Sequence, residues 1–182
     1  NGKKVLVEFV SANPTGPLTI GHGRGAILGD TVSNILQWNG YDIEREYYFN
    51  NAGKQMSRLG LSVYLRYCEL LNQKVDFPEE CYQGEYIYSI AQTLVDKYDD
   101  KLLNDEENIL FKNTAEDTIF NDIKNTLKKI GIEFDNFFNE DSLYKNNAIY
   151  KVVDDLKTKK LVYEKDGATW FAGSNIGRNA DR

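Results

Sequence analysis

The sequence predicts an α/β fold built on a parallel sheet. Three observations carry that reading. Residues 4–10 form a near-continuous apolar run, the pattern of a strand covered on both faces. The run breaks at Asn13-Pro14-Thr15-Gly16-Pro17 and re-enters a regular element through Gly21, Gly23 and Gly25. A strand, a tight loop and a glycine-rich helix start form a backbone that binds phosphates. An alternating segment from Tyr41 to Phe49 then completes a strand–helix–strand unit within residues 4–49.

The elements follow from local pattern. Lys4 to Val10 is the first strand. Two prolines and a glycine forbid regular structure in residues 13–17. A helix is expected from about Gly23 to Trp38, with Leu28, Val32, Ile35 and Leu36 as its apolar stripe. Asn39-Gly40 stops it in a left-handed conformation. In the second strand Ile43, Arg45 and Tyr47 oppose Asp42, Glu44 and Glu46, and Asn50-Asn51-Ala52-Gly53 closes it. Four more helices are expected. Lys54 to Leu71 carries Met56, Leu59, Val63, Tyr67, Leu70 and Leu71 inward; Glu85 to Tyr98 carries Ile87, Ile90, Ala91, Leu94, Val95 and Tyr98. Asp99 to Asn108 is a linker, and Thr114 to Ile130 buries Ile119, Ile123, Leu127 and Ile130. Ile132 to Phe138 reads as a strand, and Asn146 to Lys160 as a helix with Ile149, Val152, Val153 and Leu156 inward. Leu161 to Glu164 and Ala168 to Ala172 pair as a hairpin, because Asp166-Gly167 suits a primed turn.

Composition narrows the class. The chain has 182 residues, 41% apolar and 13% aromatic, which excludes a disordered chain. No apolar run approaches the ~20 residues of a membrane span, and no basic start with an apolar h-region is visible. The net charge of -6 argues against sequence-independent nucleic-acid binding. The lysines at 124, 128 and 129 and at 157, 159 and 160 read as solvated helix faces. Cys68, Cys81 and a single histidine, His22, cannot build a structural zinc site, which takes about four ligands. A reduced, cytoplasmic protein with no metal site of its own is expected. The sequence begins without Met and reads as part of a longer protein.

The chemistry concentrates in residues 8–25. Backbone N–H groups at a helix start are unsatisfied and carry partial positive charge. Gly21, Gly23 and Gly25 clear the approach for a polyphosphate; His22 can donate to a phosphate oxygen, and Thr19 can add a hydroxyl donor. Nothing there pairs a nucleophile with a base, so the segment suits stabilising an in-line displacement at phosphorus. Glu8 shares a strand face with Leu6 and Val10 in a segment that reads as buried. A lone carboxylate so placed costs on the order of several kcal/mol unless paired. A cationic substrate group is one partner; Arg45 is the internal alternative. Ser11 and Asn13 add hydroxyl and amide contacts at the crevice mouth.

Glu8 to Ala26 resembles the first signature of bacterial-type arginyl-tRNA synthetases, with His22 on the last His of the class I "HIGH" motif. The resemblance continues through Gly40-Tyr41-Asp42, Arg45 to Tyr48, Asn50, Ala52-Gly53 and Gln55. It returns at Tyr82 to Ile87, Lys128 to Phe134, Leu161 to Ala168, Trp170-Phe171 and Asp181-Arg182. It implies a Rossmann-like parallel sheet of the class I synthetase (nucleotidylyl transferase) type, with a mostly helical insertion within about residues 58–172. It also implies that the extra N-terminal domain and the anticodon-binding domain lie outside residues 1–182. Glu8, Ser11, Asn13 and, with its loop, Gln55 would bind arginine. Thr19, Gly21, His22, Gly23 and Gly25 would hold ATP, His22 and Thr19 acting on its phosphates. The implied reaction is ATP- and Mg²⁺-dependent formation of arginyl-adenylate and transfer to tRNA, by a monomer with no membrane partner. Two positions depart from the family: Thr19 replaces the first signature His, and Asn51 replaces a usual Asp. Residues 1–182 alone are expected to be inactive. Two alternatives remain at this point: a small nucleotidylyltransferase with a T/HxGH loop, which explains Thr19, or a non-enzymatic arginine- or RNA-binding fragment.

Overall fold

The computed structural model describes residues 2–51 and 53–181. Asn1, Ala52 and Arg182, the last two among the matched positions above, lie outside the described residues. The chain divides into two compact units, residues 1–140 and 141–182.

The first unit holds a parallel sheet ordered β1-β2-β3, from Lys4–Glu8, Asp42–Phe49 and Asn136–Asn139. Helix α1, Ile20–Trp38, connects β1 to β2, whose register sets Val7 beside Arg45 and Glu8 beside Glu46. β2 and β3 are also parallel neighbours, with Tyr47 beside Phe137. The connection between them is a layer of three helices, α2 at Lys54–Leu70, α3 at Glu85–Tyr98 and α4 at Ile109–Lys129.

One sheet face carries the core. Phe9 lies 4.5 Å from Phe134 between ring centroids, Tyr47 lies 5.4 Å from Phe134, and Phe49 lies 4.0 Å from Phe120. Met56, Leu59, Val63 and Tyr67 of α2, Ile87, Ile90, Ala91 and Leu94 of α3, and Ile119, Ile123 and Leu127 of α4 are buried in the same cluster. These are the residues expected from helical spacing. The opposite sheet face is less covered. Leu6 and Glu8 are exposed, so β1 is not buried on both faces as its apolar run suggested.

Helix α1 departs from expectation in two ways. It begins at Ile20, three residues early, because Thr19 caps it. Its predicted stripe is not the packed one: Leu28, Val32 and Ile35 are exposed, while Ala26 and Ser33 are fully buried. The small residues face inward because the sheet offers rings. A Cβ built on Gly29 would overlap Cβ, Cγ and Cδ2 of Phe9. Bulk on that face would push the helix off the sheet.

Elsewhere the differences are local. Helix α4 starts before Thr114 because Asn108 caps it, its side-chain oxygen accepting from the Leu110 N–H at 2.9 Å. Ile130 is exposed and Ile132 takes the buried place. In the second unit the single helix expected at 146–160 is two, α5 at Asp141–Lys145 and α6 at Ala148–Thr158, broken at left-handed Asn147. Ile149, Val153 and Leu156 are half-buried and Val152 is exposed. The hairpin of β4, Val162–Lys165, and β5, Ala168–Phe171, forms as expected. Positive φ at both Asp166 and Gly167 gives the primed turn. Among the described residues no helix is long and apolar enough to cross a membrane.

Candidate functional site

The site is built where β1 runs out. Val10 and Ser11 both adopt positive φ, 65° and 43°. The β-branched Val10 is a genuine outlier there, and such left-handed non-glycine residues cost on the order of 1–3 kcal/mol each. Cross-links hold the strained turn. The Tyr48 N–H donates to Ser11 Oγ at 3.0 Å, and the Tyr47 hydroxyl donates to the Ala12 carbonyl at 2.8 Å. Further along, the Tyr86 hydroxyl donates to the Thr15 carbonyl at 2.6 Å. Gly16 lies close under this contact: a Cβ there would sit 3.1 Å from that hydroxyl and would press it by a few tenths of an ångström.

Sequence reasoning missed these tyrosines as supports. Tyr86 stood in the matched Tyr82–Ile87 segment, but only the fold shows what it holds. Burial pushes the Tyr47 hydroxyl up to about 12, and burial followed by the neighbouring Tyr82 raises that of Tyr86. Both therefore stay protonated donors through neutral pH. An unfolded tyrosine ionises near pH ~10, so stability is fully present below that pH and is lost as pH rises through about 12. Denaturant midpoints measured from pH 9 to 12 are expected to fall, and less steeply in Tyr47→Phe. An equal fall in both proteins counts against Tyr47 as the group responsible.

The turn places the expected arginine-side residues as follows. Glu8 ends β1, is exposed, and makes no ion pair among the described residues. Its expected burial is thus corrected: Leu6 and Glu8 are both exposed on that face. Arg45, the internal alternative, faces the other way and binds Asp30 at 3.3 Å and Asn34 at 2.8 Å. Asn13 donates through Nδ2 to Gln55 Oε1 at 2.8 Å, which joins two expected residues 42 positions apart. Ser11 Oγ is already engaged with β2. Asn51, the departure from Asp, is buried and donates to Glu116 Oε1 at 2.6 Å. An Asp there would set two carboxylates against each other.

The residues expected on the phosphate side open α1. Thr19 is the N-cap and His22 the third helical residue, in a reciprocal capping box. The Thr19 N–H donates to His22 Nδ1 at 3.1 Å, and the His22 N–H donates to Thr19 Oγ at 3.5 Å. A histidine takes the place usually filled by Glu or Gln, which is why the helix start was not legible from the pattern. The glycines divide sharply. A Cβ on Gly23 or Gly25 would meet nothing within 4 Å, and one on Gly21 only Thr19 Oγ at 3.5 Å. Packing within this chain therefore does not require glycine at 23 or 25, although each weakens the helix by up to about 1 kcal/mol relative to alanine. Open space beside bare backbone at a helix start is the arrangement that admits an anionic ligand. Among the described residues no group of three or more His, Cys, Asp or Glu could hold a metal.

Comparison with known proteins gives one answer. The family profile described as "tRNA synthetases class I (R), catalytic domain" matches residues 1–179. The Arginine–tRNA ligase of Desulfotalea psychrophila is 55% identical over all of this chain, and that of Chlorobaculum parvum 50%. The chain spans 33% and 34% of their lengths, about a third of the curated relatives it matches. A Campylobacter jejuni crystal structure assigned to arginyl-tRNA synthetase superposes with a TM-score of 0.88 at 38% identity. That match covers 100% of this chain and 40% of the other.

Proposed function

The chain belongs to the class I tRNA synthetase catalytic-domain family of the arginine type, and from that premise we propose that it forms the arginine- and ATP-binding part of an arginine–tRNA ligase. The reaction is attack of the arginine carboxylate on the α-phosphate of ATP, giving arginyl-adenylate and pyrophosphate, then transfer of arginine to the 3′ end of its tRNA. The observation that carries the reading is the row of helix-start glycines whose Cβ positions face open space beside His22.

In this reading the ATP phosphates lie along Gly21, His22, Gly23 and Gly25, with Thr19 at the cap. Growing charge on the phosphoryl oxygens is met by His22 and the free N–H groups of the first turn. Glu8 faces the arginine guanidinium, while Asn13, steadied by Gln55, takes its amino-acid end. Ser11 contributes mainly by fixing the turn, since its Oγ serves the Tyr48 N–H. Mg²⁺ enters with the ATP phosphates. The three-helix connection between β2 and β3 is the core of the helical insertion, because an ordinary crossover needs only ~30 residues. The protein acts in the cytoplasm as a monomer, and tRNA binding belongs to a protein of the relatives' length. Identity of 55% and 50% to two arginine–tRNA ligases along the whole chain weighs against the small nucleotidylyltransferase.

Calorimetric titration with arginine and with ATP tests the two halves. Glu8→Gln is expected to weaken arginine binding by about tenfold, or about 1.4 kcal/mol, with ATP binding within twofold of the parent. Equal loss of both ligands makes Glu8 structural. Absence of any arginine binding to the unaltered chain removes the arginine side from these residues.

A further inference from the structure

We infer that Thr19 is a positioning residue: its backbone N–H locks the neutral ring of His22 in the Nε2–H tautomer, so that the imidazole presents a singly directed donor to its ligand. A neutral imidazole has one N–H and one lone pair. The Thr19 N–H lies 3.1 Å from His22 Nδ1. A backbone N–H can only donate, so Nδ1 must be the acceptor and the ring proton sits on Nε2. The Thr19 hydroxyl oxygen accepts the His22 N–H and lies 3.3 Å from the same Nδ1, a contact that fits either tautomer; the backbone N–H alone sets the assignment. The opposite tautomer would set the ring N–H against the Thr19 N–H.

The consequence concerns which atom does the work. Nδ1 is spent on the helix cap, and Nε2–H is the polar atom left to a ligand. It stands in the first turn of α1, between Gly21 and Gly23. The phosphate as its target rests on the function proposed above; the tautomer does not. The same geometry explains how threonine serves where the resembled family has histidine. The lock needs only the backbone N–H of residue 19, which threonine supplies as histidine would.

His22 is the single histidine of the chain, so one imidazole appears in a long-range ¹H–¹⁵N spectrum of labelled protein. At mildly alkaline pH, two well-separated nitrogen signals are expected, Nε2 in the pyrrole-type region and Nδ1 in the pyridine-type region. A scalar coupling across the hydrogen bond should join Nδ1 to the Thr19 amide nitrogen. Thr19→Ala keeps the N–H and should keep the separation of the two signals. Thr19→Pro removes it and should draw them toward the rapidly exchanging average. A reversed or averaged pair of nitrogens in the unaltered protein overturns the inference, whatever the variants do. Titration with ATP separates the two claims: movement of Nε2 with Nδ1 held supports both. A locked ring that ATP leaves unmoved supports the lock and removes the phosphate reading.

Discussion

Gly29→Ala is expected to destabilise the first unit by about 3 kcal/mol, the upper end of the usual cost of overpacking a core. The added methyl would fall inside the Phe9 side chain, overlapping Cβ, Cγ and Cδ2 together. Phe9 has little freedom to yield. Its ring lies 4.5 Å from Phe134, which in turn packs on Tyr47 and Phe137. Its backbone N–H is bonded to the Glu46 carbonyl, and the strained Val10–Ser11 turn follows at once. The remaining response is for α1 to lift from the sheet, which loosens Ala26 and Ser33, both fully buried. The gain in helix propensity from alanine, about 1 kcal/mol, is too small to offset this. The denaturant midpoint of the variant reads the effect directly. A loss below ~0.5 kcal/mol would mean that Phe9 repacks freely and that the glycine is not set by this contact.

The same contact explains where the sequence was legible and where it was not. Helices α2, α3 and α4 were readable because large apolar residues recur at helical spacing and most of them found cover: Leu59, Val63, Ile90, Leu94, Ile123 and Leu127 are buried. Helix α1 obeys a different rule. Its packed face is small, Ala26, Gly29 and Ser33, and at Gly29 the ring of Phe9, just past β1, leaves no room for a side chain. Period alone therefore selected Leu28, Val32 and Ile35, which are exposed. Glu8 failed for a related reason: a continuous apolar run signals two covered faces, and the face with Leu6 and Glu8 is open. Turn chemistry was more dependable, since Asp166-Gly167 carries its own conformational demand. The expected site residues came from local motif and family resemblance. Their connections were not, because Asn13 with Gln55, Tyr86 with Thr15 and Asn51 with Glu116 depend on tertiary placement that no window of sequence contains.

Replacing both Gly23 and Gly25 by alanine is expected to move stability and ligand affinity in opposite directions. Alanine should stabilise α1 by about 1–2 kcal/mol in total, the difference in helix propensity summed over two positions. Nothing opposes that gain, because neither new Cβ meets an atom within 4 Å. Affinity for ATP should fall by about tenfold or more, since each methyl occupies space that the proposed phosphates need and shields the first-turn backbone. Gly29→Ala is the control on the same helix, where the methyl meets Phe9 and stability falls instead. Thermal unfolding with and without ATP measures both quantities in one experiment. The unliganded variant should melt higher than the parent, and the upward shift produced by ATP in the parent should shrink or vanish in the variant. A variant that is more stable and binds ATP as the parent does would leave the helix-start glycines without a role at the phosphates. The proposed function would then have to rest on residues other than this row.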